Sequence, residues 1–283
     1  MVTGAGRGIG RAYALLLATR GARVVVNDLG GSVEGDGADA GPASGVAEEI
    51  ADAGGAAIAD TNDVSSTAGA NALVDSALNA FGRVDVVINN AGIMRWAGMP
   101  DVNREHLRRH LAVHVGGSFN MARAAWPHMT QQGYGRIVMT ASTGMFGLPE
   151  NISYATAKAG VVGLTRSLAA AGARHGIKVN AIAPVAATRM GGDVNDRQVA
   201  PELVAPMAAF LAHEGCPANG EIYEAGAGRF ARIFIASTVG YVGSDATIED
   251  LAAHWDVVNE EPGYYVPADL TDWMRSYMGH LSP

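Results

Sequence analysis

The 283-residue chain has almost no lysine: of 20 basic residues only Lys158 and Lys178 are Lys, leaving 20 − 2 = 18 Arg. A single cysteine, Cys216, excludes an internal disulfide and any multi-thiolate metal site, and suits a reducing compartment. The eight histidines show no HExxH spacing, so no metal centre is expected. The formal net charge is −8, and no basic run exceeds Arg108-Arg109, so the broad positive face that nucleic acid requires is missing. No apolar run reaches the roughly 18 residues of a bilayer span, so no membrane association is expected. The chain passes from Met1-Val2-Thr3 straight into glycines, which leaves no apolar core for a secretory leader. A cytoplasmic protein is the expectation.

What is present is a globular composition, 48% hydrophobic with 37 glycines. Short apolar runs at 23–27, 56–59, 85–89, 136–140, 178–183 and 221–224 lack polar alternation, as strands covered on both faces do. Helical patterns lie between and beside them, at 8–19, 45–53, 67–81, 104–132, 154–175 and 201–214. Alternation at this spacing predicts an α/β fold, a doubly wound parallel sheet of Rossmann type. Residues 1–283 read as a single domain, with 226–283 as a C-terminal extension whose aromatic residues are expected to pack in a core. The Gly- and Asp-rich segment 29–44 reads as a mobile loop. Only Met1-Val2 precede Thr3, so the first strand is short, and a start further upstream is expected.

Residues 3–10 read TGAGRGIG and run into the helix pattern at 8–19. Glycines let a backbone approach a pyrophosphate, and a following helix N-terminus offers free N–H groups. The literal GxGxxG string is absent; TGxxxGxG, with Gly4, Gly8 and Gly10, stands in its place. Asp28 ends the next strand, 28 − 10 = 18 residues after the last glycine, where a carboxylate accepts hydrogen bonds from adenosine ribose hydroxyls. It would repel a 2′-phosphate, so NAD rather than NADP is the expected cofactor.

Tyr154 and Lys158 stand four residues apart on one helix face. An ammonium near a phenol lowers a pKa of about 10, which makes Tyr154 a candidate acid/base. Ser142, twelve residues earlier, follows the strand at 136–140, where a hydroxyl would face the ligand crevice.

TGAGRGIG, Asn62-Asp63-Val64, Asn89-Asn90-Ala91-Gly92, Ser142, Tyr154/Lys158 and Asn180…Pro184 together resemble the short-chain dehydrogenase/reductase family, over residues 1 to about 225. The resemblance implies that the turn around Gly4, Arg7, Gly8, Ile9 and Gly10 holds the pyrophosphate and Asp28 the ribose. It implies that Asp63 and Val64 flank adenine and that Asn90, Ala91 and Gly92 pass beside the cofactor. Pro184, in the loop near the nicotinamide, and Thr188 would also bind the cofactor, and Lys158 would both tune Tyr154 and hold the nicotinamide ribose. A narrower resemblance, through NDLGG, VHVGGSFNMARAAWPHM and EIYEAGAGRF, is to the (3R)-hydroxyacyl-CoA dehydrogenase unit of peroxisomal multifunctional enzyme type 2 and related 17β-hydroxysteroid dehydrogenases.

The chain departs from the family pattern in places. His114 stands where the family has a helix asparagine that routes protons towards the lysine; imidazole can bridge water, and a plain buried histidine is an equal reading. The segment from Ser142 to Gly144 is one residue short, leaving Thr143 as a rival hydroxyl. Val185 replaces a glycine after Pro184.

The expected activity is NAD-dependent interconversion of a secondary alcohol and a ketone, on a 3-hydroxyacyl-CoA or alternatively a steroid 17-hydroxyl. A non-catalytic dinucleotide-binding protein is the alternative from another class. Arg189, Arg229 and Arg232 are candidates for coenzyme-A phosphates; Met145, Phe146, Met190 and Met207 are candidates for an apolar slot. The Ala/Gly-rich helices at 104–132 and 154–175 suggest a homodimer or homotetramer.

Overall fold

The computed structural model describes residues 1–190 and 196–281. They divide into two compact units, Met1–Arg232 and Ile233–Pro283.

The first unit runs β1 (Val2–Thr3), α1 (Gly8–Thr19), β2 (Arg23–Asn27), α2 (Gly41–Asp52), β3 (Ala56–Asp60), α3 (Thr67–Phe81) and β4 (Val86–Asn89). It continues through α4 (Arg104–His110), a π-helical stretch (Leu111–Gly117), α5 (Ser118–Gln132), β5 (Gly135–Thr140), α6 (Ile152–Gly172), β6 (Ile177–Pro184), α7 (Ala205–Ala212), β7 (Ile222–Gly226) and β8 (Arg229–Ile233). The strands form one sheet in the order β3-β2-β1-β4-β5-β6-β7-β8, parallel through β7. Valine- and isoleucine-rich strands are buried because helices cover both faces, which is why their sequences lack alternation. The strand order reverses between β1 and β4, so the loops after these two strands splay apart and open a crevice at their carboxyl ends. β1 is only two residues long, yet Val2 sits in register with Val26 on one side and Ile88 on the other.

Several boundaries differ from the sequence reading. The expected helix over 104–132 is three pieces, because the π-helical stretch interrupts it at Leu111–Gly117. Residues 41–44, read as loop, form the first turn of α2, where Pro42 sits in the first turn with no need of its missing N–H. The single domain is two units, and the extension begins at 233. Ala227 and Gly228 both adopt positive φ, 50° and 75°, so a two-residue turn folds β8 back against β7 as the last strand.

The second unit carries α8 (Ile248–Ala253), α9 (Trp255–Val258) and α10 (Leu270–Tyr277). Its aromatic residues were expected in a core, but Trp255, Tyr264 and Tyr277 are exposed. Tyr264 and Tyr277 stack in pairs instead, on Phe234 and Trp273 respectively. Some fifty residues enclose too little volume to bury them.

Candidate active site

The glycine turn between β1 and α1 is held from below. The Thr3 hydroxyl accepts from the Asn90 and Ala91 N–H groups at 3.0 Å, and Asn90 Nδ2 donates to the Thr3 and Gly4 carbonyls at 3.1 and 3.0 Å. Gly4 and Gly8 turn the chain with φ of 61° and 53°, a region other residues rarely adopt. Gly10 is buried behind them. α1 starts without a side-chain cap or an acidic residue in its first turn, so its leading N–H groups remain available to an anion. Asp28 is fixed beside this turn: the Gly6 N–H donates to its Oδ2 at 2.9 Å and the Gly30 N–H to its Oδ1 at 2.7 Å.

Two adjoining cavities run along the crevice. One is lined by Gly4, Asp28, Asp63, Val64, Ala91 and Gly92, with the 29–35 segment and Arg109. The other, of about 510 Å³, contains Gly4, Arg7, Gly8, Ile9, Asp28 and Asn90 at one end. His114, Ser142, Tyr154, Lys158, Pro184 and Thr188 complete it. Apart from Gly10 and the rival hydroxyl of Thr143, every residue proposed from sequence for the cofactor or the chemistry lines one cavity or both.

The reactive end is organised by α6. Asn151, fully buried, caps the helix by accepting from the Tyr154 N–H at 3.2 Å, and its Nδ2 donates to the Arg95 carbonyl at 2.6 Å. Tyr154 therefore sits in the first turn, near the positive end of the helix dipole. Lys158 Nζ donates to the Thr140 carbonyl at 2.7 Å and lies 5.5 Å from the Tyr154 ring centre. Burial lowers the Lys158 pKa to about 7. Burial raises that of Tyr154, while the Ser142 hydroxyl pulls it down. The Lys158 ammonium spends one donor on the Thr140 carbonyl and still lies over the Tyr154 ring. Ser142 caps the short 3₁₀ turn Thr143–Phe146, accepting from the Gly144 N–H at 3.1 Å, and lines the cavity where Thr143 does not.

His114 lies inside the π-helical stretch, 2% exposed, with Nε2 2.9 Å from the Ile93 carbonyl. Its ring meets the Tyr154 ring edge-on, with centres 5.3 Å apart. A Cβ on Gly92 would fall 2.6 Å from its Cε1, so glycine is needed there. Burial holds its pKa well below the usual value, with Lys158 adding to the effect. Among the described residues, His114 Nδ1 and Thr140 Oγ1 are buried without a hydrogen-bond partner.

The substrate candidates divide. Arg189 lines both cavities, but Arg232 pairs with Glu221 and Arg229 with Glu224, away from the lining. Met190 lines the larger cavity; Met207 packs against the core instead, and Phe146 is exposed. The sequence reading missed Thr3, Asn151, Trp96 and Met94. Asn151 had a signal, a cap residue three places before Tyr154 at a helix start. The four-residue spacing of His106, His110 and His114 was likewise visible, and their rings pack in series at 4.7 and 6.0 Å.

Among the described residues no group of His, Cys, Asp or Glu could hold a metal ion, and no helix is long and apolar enough to cross a membrane. A family model described as short chain dehydrogenase matches residues 1–199. A short-chain type dehydrogenase/reductase of Mycobacterium tuberculosis is 42% identical over 269 residues, 93% of this chain and 94% of that one. Hydroxyacyl-CoA dehydrogenase ChsB1 of the same organism is 36% identical over 247 residues, 79% of this chain and 75% of its own. Full-length peroxisomal multifunctional enzyme type 2 from Drosophila melanogaster superposes with a TM-score of 0.82 at 32% identity, covering 99% of this chain and 48% of that one. The chain thus spans about half of that multifunctional relative.

Proposed function

This chain belongs to the short-chain dehydrogenase family, and we propose that within it the protein is an NAD-dependent dehydrogenase of 3-hydroxyacyl-CoA thioesters. The observation that carries the reading is the convergence of Ser142, Tyr154 and Lys158 on a cavity that continues to the glycine turn and Asp28. A dinucleotide suits the residues present: the start of α1 is uncapped and open to an anion, Asp28 has its carboxylate fixed for a ribose, and Thr140 Oγ1 and His114 Nδ1 lack partners among the described residues.

In this scheme the turn at Gly4–Gly10, with Arg7 and Ile9, cradles the pyrophosphate and Asp28 holds the adenosine ribose. Asp63, Val64, Asn90, Ala91 and Gly92 flank the adenosine half; Pro184 and Thr188 border the nicotinamide. When bound, the dinucleotide supplies the acceptor for the carbinol hydride. Ser142 and the Tyr154 hydroxyl hold the substrate oxygen between them. Tyr154, as phenolate, takes the alcohol proton while the C–H bond yields its hydride, and returns a proton in ketone reduction. Lys158 keeps a donor beside the phenol and the nicotinamide ribose. His114 stands against the Tyr154 ring with an unpartnered nitrogen that can hold a water on the path to Lys158.

NAD is preferred because a 2′-phosphate would meet the Asp28 carboxylate. Arg189 at the cavity, together with the named activity of the relative ChsB1, supports a coenzyme-A thioester. Comparison of kcat/KM for a 3-hydroxyacyl-CoA and a 17β-hydroxysteroid, each with NAD at low and high salt, tests it. The acyl-CoA should be turned over faster and lose rate with salt. Faster, salt-insensitive steroid turnover would replace it with the apolar reading through Met94, Trp96 and Met190; turnover of neither would leave a dinucleotide-binding protein without this chemistry. Assembly as a homodimer or homotetramer in the cytoplasm belongs to the same proposal, and a 29 kDa particle in light scattering would count against the assembly.

A further inference from the structure

The connection from β2 to α2 has four glycines in residues 29–40 and no hydrophobic periodicity, yet its carbonyls are taken one after another. Gly31 accepts from Arg189 at 3.2 Å and Arg7 at 3.4 Å, and Val33 from the Met94 N–H at 2.8 Å. Glu34 accepts from Arg95 Nε at 2.9 Å and Gly35 from Arg109 at 3.1 Å. The Asp36 carboxylate then divides between the same two arginines, Oδ2 to Arg95 at 2.5 Å and Oδ1 to Arg109 at 2.8 Å. These partners belong to separate elements, the segment after β4 and helix α4. Leu29, Gly31, Ser32 and Gly35 form part of the wall of the cavity next to Asp28, and Arg109 lines the same cavity.

We propose that Asp36 is a positioning residue for the adenosine half of the dinucleotide: it fastens the 29–36 wall across Arg95 and Arg109, and it keeps the Arg109 charge from pairing with a 2′-phosphate. The proposal rests on reading this cavity as the adenosine site. The Asp36 carboxyl is held below the usual carboxylate range by the Arg109 hydrogen bond, with Arg95 assisting, so it is ionised wherever the protein is folded near neutrality. Exposed ion pairs are individually weak and yield to salt, but here two converge on one carboxylate that closes a glycine-rich loop otherwise costly to order. Together with Asp28, Asp36 makes the adenosine cavity a two-carboxylate discriminator: one acid meets the ribose, the other pairs with the Arg109 cation of the cavity wall.

The test is direct titration of the full chain with NADH and with NADPH, for the wild type, Asp36→Asn, Asp36→Glu, Arg95→Met and the Asp36→Asn/Arg95→Met pair. Asp36→Asn should weaken NADH binding about fivefold, weaken NADPH less, and raise KM for NAD while kcat holds. Asp36→Glu should recover most of the affinity, and the double variant should lose less than the sum of the singles. In 0.5 M salt the wild type should approach Asp36→Asn. Unchanged NADH and NADPH affinities in Asp36→Asn, even with a lowered Tm, would make the latch purely structural and overturn the proposal alone. A wild type that binds neither nucleotide would overturn the reading of the cavity instead.

Discussion

The two ends of the crevice treat polar groups in opposite ways. At the Asp28 end, both oxygens of Asp28 and both of Asp36 have donors, two backbone N–H groups and two half-buried arginines. At the Tyr154 end, Lys158 is 3% exposed with one carbonyl partner, and Thr140 Oγ1 and His114 Nδ1 have none. One end is a preorganised cradle whose geometry exists before a ligand arrives. The other stores unmet polar groups where water is scarce, which keeps their protonation states adjustable. Binding should fail gently when the first is altered, and turnover should fail steeply when the second is.

The steepest expected loss is at Tyr154. Tyr154→Phe removes one oxygen, and alcohol oxidation with NAD should fall by about a thousandfold in kcat with NADH affinity little changed. Undiminished kcat would erase the distinction between the two ends.

Lys158→Met sharpens the comparison by separating function from stability. Turnover should fall about a hundredfold. The folded pKa of Lys158 is about 7, below the 10.5 of a free lysine. Between those values the unfolded chain binds the extra proton, so burial of Lys158 is most costly at pH 7 and below, and stability recovers as pH rises towards 10.5. Urea unfolding of both proteins from pH 6 to 10 should show the methionine variant ahead at pH 6 and the gap closing by pH 10. A constant gap would mean that Lys158 is not proton-poor in the fold.

At the cradle the effects are smaller. Asp28→Ser should narrow the preference for NADH over NADPH by about tenfold, read by fluorescence titration, because the repulsion of a 2′-phosphate goes with the carboxylate. Equal affinities in the unaltered protein would remove Asp28 from the cofactor argument. Smallest is Asn151→Ala, which links the ends through the cap of α6. Loss of the cap should cost about 1 kcal/mol in chemical unfolding. It should lower kcat several-fold by loosening Tyr154, without changing NADH affinity.

Much of this site was legible as spacing. The glycine turn, Asp28 eighteen residues beyond it, and the Tyr154/Lys158 pair follow local geometry, and all lie along one crevice. Choices between equivalent side chains were not legible. Ser142 or Thr143, and Arg189 or Arg229 or Arg232, differ only in where a turn or hairpin points them. The ordering of residues 29–36 was hidden for a related reason: a Gly-rich stretch reads as loop, and its partners Arg95 and Arg109 lie some sixty to seventy residues further on.

By itself the sequence determined what backbone periodicity and residue chemistry dictate: buried parallel strands, a phosphate-sized turn, and a phenol one helical turn from an ammonium. The tertiary structure decided how those groups are charged and held. Packing α6 against β5 turns Lys158 towards the Thr140 carbonyl and removes its water, and bringing α4 and the segment after β4 onto residues 29–36 gives Asp36 two arginines. Desolvation and long-range pairing depend on neighbours brought together by the whole sheet, and no local spacing encodes them.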